Sequence, residues 1–542
     1  MPIQLSSFFK FLFKFYSKPI SESKLILLVS LFVLATHNIG FFQNTVQVYQ
    51  THDNLSLSLL LVSVLHGSLL FLAFSLLGFG WLLRILLAAT LVISASAAYF
   101  TDTYNVIIDV DMIDNSLKTD PEEVRDLLSI QQGMYILFLG LVPAWLVLTI
   151  PLTQSTWAKR IAWRLGSFTM VMAVMVGTLV TAADFYATYI RENATLRYYS
   201  TPLAPLYEVG LYVDQEFIGQ NQAPFQIIAP QATRTTGSKP KLSVMIVGET
   251  LRADHVGLNG YERDTTPLLA QEQVVSYSNV SSCGTSTAFS LPCMFSVQQR
   301  SNYSKQQAGN MENALDILQK TSVNVVWIDN NSSSKGVADR VDYREAKSSQ
   351  YNTICNPECR DVGMLPIAST WLQDLPAKQD KLVVLHQMGS HGPAYYKRYP
   401  KQFEKFTDVC ESNQLDSCSR QQIINTYDNT VLYTDYFLAQ TIHWLEQQQA
   451  NYDVSMLYIS DHGESLGEGG LYLHGYPYMF APKEQTHVPM IAWVADNHSL
   501  ISYEELSKKK DQELSHDQLF HTLLGMYGVQ AGVYEAGMDL FE

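Results

Sequence analysis

Five long apolar runs crowd the first 185 residues of this 542-residue chain: Leu25–Phe42, Leu55–Phe79, Trp81–Phe100, Met134–Leu152 and Leu165–Ala183. Each approaches the roughly 20 residues that a helix needs to cross the hydrocarbon of a bilayer. In hydrocarbon every backbone N–H and C=O must find a partner within the protein, so runs of this kind are expected as membrane-spanning helices. The second and third are separated by almost nothing, and a single re-entrant hairpin is the competing reading there. Lys and Arg set the orientation. Lys10, Lys14, Lys18 and Lys24 surround the start of the first run, Arg84 follows the turn between the second and third, and Lys159, Arg160 and Arg164 join the fourth to the fifth. Gln43–Asn54 has no Lys or Arg, and Thr101–Gln132 has only Lys118 and Arg125 against eight Asp and Glu. The bias places the N-terminus in the cytoplasm, and an odd number of spans puts everything after residue 185 across the membrane. No small-residue cleavage site follows the first run, which is expected to stay as an anchor.

The cysteines test this topology independently. All six lie beyond position 280, in three close pairs, Cys283/Cys293, Cys355/Cys359 and Cys410/Cys418. In an oxidising compartment such pairs are expected to be disulfides. Zinc ligation competes only at Cys355-Asn-Pro-Glu-Cys359, and no second pair of that spacing accompanies it. Charged residues make up only 16% of the chain, and acids outnumber bases 51 to 36. The balance excludes a nucleic-acid binder, which needs a basic face.

These patterns predict a transmembrane domain over 1–185, an interfacial helix and linker over 186–240, and a periplasmic catalytic domain over 241–542. The middle segment carries five prolines between Tyr186 and Pro240. Its stretch Leu196–Val213 reads as a helix lying on the membrane surface, and Gly219–Lys239 as linker. Beyond it, Leu242–Val247, Val323–Ile328, Lys381–Leu385, Val454–Ile459 and Val488–Val494 are near-continuous apolar runs of strand length, separated by helical patterns. That alternation predicts a doubly wound, mainly parallel α/β sheet, whose chemistry gathers at the C-terminal strand ends.

Two strand ends carry candidate ligands. The first runs into Gly248-Glu249-Thr250 and the fourth into Ser460-Asp461-His462-Gly463-Glu464. Glu249, Asp461 and His462 offer two oxygens and one nitrogen, a suitable set for zinc with one position open. A structural Asp–His turn is the plainer alternative. A nucleophile is sought in Ser282-Cys283-Gly284-Thr285-Ser286-Thr287, a small-residue turn leading into an apolar stretch. Thr285 follows a glycine that permits close backbone approach. Ser282, Ser286 and Thr287 stay open as candidates on the residues alone, and an N-cap cluster explains all of them without catalysis. His37 and His66, inside spans, read as neutral and hydrogen-bonded within the bundle, and His255 as structural.

The chain resembles the lipid A phosphoethanolamine transferases, including the mobile colistin-resistance enzymes, within the alkaline phosphatase/sulfatase-like superfamily. The strings that carry the resemblance are VGETLRADHVGLNGYERDTTP from Val247, SCGTSTAFSLPCMFS from Ser282, DNNSSSKG from Asp329, LHQMGSHGPAYYKRYP from Leu385, SDHGESLGE from Ser460 and YLHGYPYMFAPKEQTHVP from Tyr472. The resemblance implies zinc as cofactor on Glu249, Thr285, Asp461 and His462, with Thr285 also the nucleophile. It implies that Lys335, His391 and His474 contact the phosphate or a second metal, with Glu464 beside that second site. The segment MIDNSLKTDPEE from Met112 assigns Asn115, Thr119 and Glu123 to the donor's ethanolamine. Lys118 and the short Cys355–Cys359 loop depart from the family pattern. The implied partners are phosphatidylethanolamine as donor, lipid A or lipopolysaccharide as acceptor, and membrane lipids, at a bacterial inner membrane. Two other functions stay open: transfer to core-oligosaccharide sugars or of phosphoglycerol, and a metal-free membrane sensor or scaffold.

Overall fold

The computed structural model describes residues 18–50, 54–118, 121–218, 224–237 and 239–542, with only the backbone described at 122, 123 and 218. Two compact units emerge, and they do not follow the linear boundaries. One comprises residues up to Val110 together with Leu128–Leu211; the other is Asp111–Leu127 with Tyr212–Glu542. Asp111–Leu127, between the third and fourth apolar runs, therefore belongs to the second unit, and the chain from 186 to 211 to the first.

The first unit is helical. Leu55–Ser75, Gly80–Tyr104, Ile130–Thr149 and Trp157–Thr181 are each long and apolar enough to cross a membrane. The second and third runs are thus two helices rather than one hairpin. The run expected as one span from Leu25 to Phe42 is instead two helices, Glu22–Thr36 and Ile39–Tyr49, bent by 59°; counted as one broken span they bring the total to five. The break falls at Asn38. Its Nδ2 donates to the Val33 and Thr201 carbonyls at 3.0 and 2.7 Å, and its Oδ1 accepts from the Thr201 N–H at 2.9 Å. The side chain thereby ties the helix end to the backbone of Thr201. Val29, Val33, Leu70, Phe74, Leu87 and Leu91 pack an interior. Apolar side chains also cover the outside, with Met170 and Val180 each 71% exposed on Trp157–Thr181. Such an exterior suits lipid rather than water.

The second unit is built on an eight-stranded sheet. Its strands are β1 Lys241–Gly248, β2 Val275–Ser281, β3 Asn324–Asp329, β4 Asp342–Glu345, β5 Lys381–His386, β6 Asp453–Ser460, β7 His487–Val494 and β8 Leu514–Ser515, in the order β8-β2-β7-β6-β1-β5-β3-β4. All neighbours run parallel except that β7 is antiparallel to both β2 and β6. The expected sheet is present, and β7 makes it mixed. In β1, Met245 and Val247 belong to a core shared with Leu315, Leu318, Phe520 and Leu523, while Val244 and Ile246 on the opposite face are equally buried. Burial on both faces is why these strands read as unbroken apolar runs rather than alternating ones. All three cysteine pairs are disulfides, Cys283–Cys293, Cys355–Cys359 and Cys410–Cys418.

Candidate metal and transfer site

Parallel register assembles the site. Gly248 lies opposite Ser460, and Val247 opposite both Ile459 and His386. The residues that follow, Glu249 and Asp461-His462, therefore emerge side by side at one edge of the sheet. Close backbone packing holds them there: a Cβ at Gly463 would lie 2.1 Å from the Glu484 carbonyl oxygen.

Glu249, Asp461 and His462 are fully buried, and one ligand atom from each falls within 4.8 Å of the others. His462 Nε2 lies 3.4 Å from Glu249 Oε1 and 3.4 Å from Asp461 Oδ2. The other ring nitrogen, Nδ1, is 2.9 Å from the Gly463 carbonyl. A carbonyl only accepts, so Nδ1 carries a hydrogen and Nε2 is the ring atom that faces the two carboxylates. Asp461 Oδ1 accepts from the Thr250 and His462 N–H groups at 3.1 and 2.8 Å, whereas the buried Oδ2 has no hydrogen-bond partner among the described residues. Two carboxylates and an imidazole nitrogen converging in a buried group are the arrangement a cation satisfies, and two oxygens with one imidazole nitrogen suit zinc. Burial pushes Glu249 up, but the imidazoles of His462 and His391 and the Thr250 hydroxyl hold it down at about 2. Burial and the charge of Glu249 raise Asp461 to about 6.

Neighbours that the sequence did not single out fix this group. Asn331 Nδ2 donates to Glu249 Oε2 at 2.7 Å and to the Gln387 carbonyl at 2.9 Å. The Thr250 hydroxyl donates to Glu249 Oε1 at 2.5 Å from a left-handed backbone, φ 60°. Asn331 stands inside the DNNSSSKG string, and its position beyond β3, at the sheet edge that holds Glu249, is the signal that would have found it.

The turn before helix Thr287–Met294 brings Thr287 against the ligand group and Thr285 against the loop that follows His474. Thr287 Oγ1 lies 3.2 Å from Glu249 Oε2 and 3.4 Å from His462 Nε2. Thr285 is nearly buried and its hydroxyl donates to the Tyr476 carbonyl at 2.7 Å, while its own carbonyl accepts from Gly475 N–H at 2.7 Å. Gly284 is required here, because a Cβ would lie 2.7 Å from Phe289 Cδ1. The histidines form a chain: the rings of His462 and His474 are 4.4 Å apart, and those of His474 and His391 are 5.6 Å apart. Glu464 accepts from the Tyr395 hydroxyl at 2.8 Å and faces His474 Nδ1 at 3.0 Å, an arrangement that orients His474.

Lys335, with φ 49°, donates from Nζ to the Lys118 carbonyl at 3.2 Å. Asn115 is half-buried on the helix Val110–Lys118. That helix lies against the His474 loop, since a Cβ on Gly475 would be 2.4 Å from Met112 Cε. Lys118 is paired with Asp114 at 2.8 Å, which Lys305 also contacts. Thr119 and the Glu123 side chain lie outside the described residues. His255 is engaged structurally, with Nδ1 2.6 Å from Asp428 Oδ1.

A sulfatase-class α/β domain carrying a buried acidic–histidine ligand group, joined to a membrane-helix unit, is what fold and site define. The "Sulfatase" family model matches residues 241–529, and the model for "Phosphoethanolamine transferase EptA/EptB" matches 67–217. Phosphatidylethanolamine transferase Mcr-1 of Escherichia coli is 44% identical over 532 residues, covering 95% of this chain and 96% of that protein. The integral membrane lipooligosaccharide phosphoethanolamine transferase A (EptA) of Neisseria meningitidis superposes with a TM-score of 0.92 at 33% identity, covering 97% of this chain and 99% of its own. The C-terminal periplasmic domain of phosphoethanolamine transferase EptC from Campylobacter jejuni matches at 45% identity and a TM-score of 0.53, over 59% of this chain and 97% of that domain. The chain belongs to the phosphoethanolamine transferase family.

Proposed function

We propose that the protein moves phosphoethanolamine from phosphatidylethanolamine to a phosphate of lipid A, through a covalent adduct on Thr285, at a zinc site formed by Glu249, Thr285, Asp461 and His462. The observation that carries the reading is the convergence of His462 Nε2, Asp461 Oδ2 and Glu249, with Thr287 of the Thr285 turn against them. The enzyme sits in the inner membrane with its catalytic domain in the periplasm, where its disulfides are stable. Zinc, when bound, supplies Lewis-acid polarisation of a phosphate oxygen and lowers the pKa of a coordinated hydroxyl.

The chain's own residues do the rest. Thr285 loses its proton and its oxygen bonds to the donor phosphorus as the bond to the diacylglycerol oxygen breaks; diacylglycerol leaves with a proton. An oxygen of the lipid A phosphate then bonds to that phosphorus as the P–O bond to Thr285 breaks, and the threonine oxygen takes a proton back. His391 and His474 hold or pass these protons, or hold a second metal with Glu464 behind His474. Lys335 contacts the transferred phosphate, and Asn115, Thr119 and Glu123 contact its ethanolamine. One nucleophile serving two half-reactions gives ping-pong kinetics. Each transfer adds an ammonium to an anionic surface, which weakens its attraction for polycationic peptides such as polymyxin.

Mass spectrometry of lipid A from cells expressing wild type, Thr285→Ala and Thr287→Ala tests the reading. A phosphoethanolamine increment with wild type and Thr287→Ala, lost in Thr285→Ala, is expected. An unchanged increment in Thr285→Ala overturns the nucleophile assignment.

A further inference from the structure

Two buried side chains outside the ligand group join the turn that carries Thr285 to the strand end that carries Asp461 and His462. The first is His516. Strand β8 pairs in parallel with β2, Leu514 opposite Val280 and Ser515 opposite Ser281. The residues that follow leave the sheet at the same edge, which puts His516 beside Cys283. His516 is 1% exposed. Its Nδ1 lies 3.0 Å from the Cys283 backbone nitrogen, and its Nε2 lies 2.9 Å from the Ser460 carbonyl oxygen. An amide N–H only donates and a carbonyl only accepts, so Nδ1 is the bare nitrogen and Nε2 carries the hydrogen. Burial holds the ring down at about 3, in keeping with a neutral imidazole.

One residue further along each segment the same connection recurs. The Gly284 N–H donates to Ser290 Oγ at 3.3 Å, and the Ser290 hydroxyl donates to the Asp461 carbonyl at 2.5 Å. Ser290 is fully buried on the helix Thr287–Met294, and its Oγ is 3.4 Å from His516 Nδ1, so the two bridges are neighbours. Consecutive amides of the turn thus reach consecutive carbonyls of the strand end. Each bridge needs a side chain that accepts on one side and donates on the other, which a neutral imidazole and a hydroxyl both do. Buried backbone groups demand such partners, so the two segments are held at the spacing that the bridges set.

We propose that His516 and Ser290 are positioning residues that set the Thr285 turn against the Asp461 strand end, so that the threonine oxygen meets the donor phosphorus in register with the ligand group. The inference rests on Thr285 as the nucleophile of the transfer reaction given above. It assigns the pair to formation of the adduct rather than to metal binding. Both bridges end on backbone carbonyls, and they leave the Asp461 carboxylate and the His462 ring to other partners.

The test gives the full, zinc-loaded chain in detergent phosphatidylethanolamine without acceptor. It reads single-turnover release of diacylglycerol against donor concentration, with bound metal counted per chain. His516→Leu removes both polar atoms of the ring, Ser290→Ala removes the hydroxyl, and His516→Gln keeps an acceptor and a donor. At full metal content, His516→Leu and Ser290→Ala should each lower the saturating rate, toward the roughly 10²-fold that a misplacement of about 1 Å costs, with the half-saturating donor concentration changed less than about twofold. His516→Gln should recover most of the rate. If His516→Leu does not fold, Ser290→Ala carries the same reading with a smaller change of volume. A wild-type saturating rate in folded variants overturns the inference, because a purely structural bridge would shift only the melting temperature. Bound metal falling in step with the rate also overturns it, by making the pair a support of the ligand group. Release from Thr285→Ala at the wild-type rate is a different failure, that of the nucleophile itself, and it shows without either bridge variant.

Discussion

The molecule contains two buried polar clusters of similar composition and opposite character. In the helical unit, His37, His66, Asn38 and Ser94 meet among apolar side chains. His37 Nε2 is 3.1 Å from the Leu139 carbonyl and its Nδ1 2.6 Å from Ser94 Oγ, so one neutral tautomer serves both contacts. His66 Nε2 bonds Asn38 Oδ1 at 3.0 Å, and its ring stacks on Phe41 at 4.7 Å. In the catalytic unit, Glu249, Asp461 and His462 are as deeply buried, yet their ligand atoms face one another and Asp461 Oδ2 has no hydrogen-bond partner among the described residues. The first cluster is paired as it stands, whereas the second groups ligand atoms that a cation would satisfy. Satisfaction of hydrogen bonds, more than burial or residue type, separates a structural cluster from a functional one.

The sharpest way to break this comparison is Asp461→Asn, which keeps the shape and removes the charge. A Lewis acid supplies several kcal/mol to the transition state, so transfer should fall on the order of 10³-fold, with bound metal per chain falling toward zero by elemental analysis. Full metal content and normal transfer in that variant would reduce the acidic group to a structural turn. Asn331→Ala probes the surrounding shell. It removes the donor that orients Glu249 Oε2, and metal affinity measured by chelator competition should drop about 10–100-fold, as for other outer-shell partners. An unchanged affinity would show that Thr250 and Thr287 hold Glu249 without it.

Much of this was legible from sequence, for identifiable reasons. The strand runs were clear because both faces of the sheet are buried, and Glu249, Asp461 and His462 could be grouped because parallel strands end at one edge. The direction of β7 was not legible, since Val488–Val494 has the same composition whichever way it runs. The break at Asn38 was hidden because its cause is Thr201, 163 residues away. Asn331 and His516 went unassigned because their roles depend on Glu249 and on Cys283 and Ser460, distant in sequence and adjacent only after folding. The docking of Asp111–Leu127 into the catalytic unit was likewise invisible, as its apolar flanks read as membrane.

Acidity offers a third test. Asp461 is raised to about 6 by burial and the charge of Glu249, so the metal-free protein takes up a proton there as pH falls below about 6. A cation must expel that proton. Apparent metal affinity should be flat above pH 6 and fall about tenfold per unit below it, on top of any loss shared by other ligands. For the metal-free fold the sign reverses. A carboxyl raised above its unfolded value near 3.8 contributes stability that is fully present below that value and lost as pH rises through about 6. Thermal melts of stripped and zinc-loaded protein between pH 4 and 7 should therefore diverge as pH rises, and parallel curves would remove Asp461 from the ligand set.

The smallest effect on activity belongs to the membrane cluster. Asn38→Leu is near in volume but removes the partner that the Thr201 carbonyl, the Thr201 N–H and His66 Nε2 find in Asn38. Each buried group left unpaired costs about 1–3 kcal/mol, less where helix ends relax toward one another. The melting temperature in detergent should fall clearly, while metal content and transfer rate per folded molecule stay at wild-type values. The double variant His66→Leu with Asn38→Leu removes both ends of one hydrogen bond and should be less destabilised than the two single costs added together, because the pair no longer contains an orphan. If Asn38→Leu instead lowered transfer in fully folded protein, the helical cluster would have a part in the reaction, and satisfied hydrogen bonding would no longer mark a purely structural site.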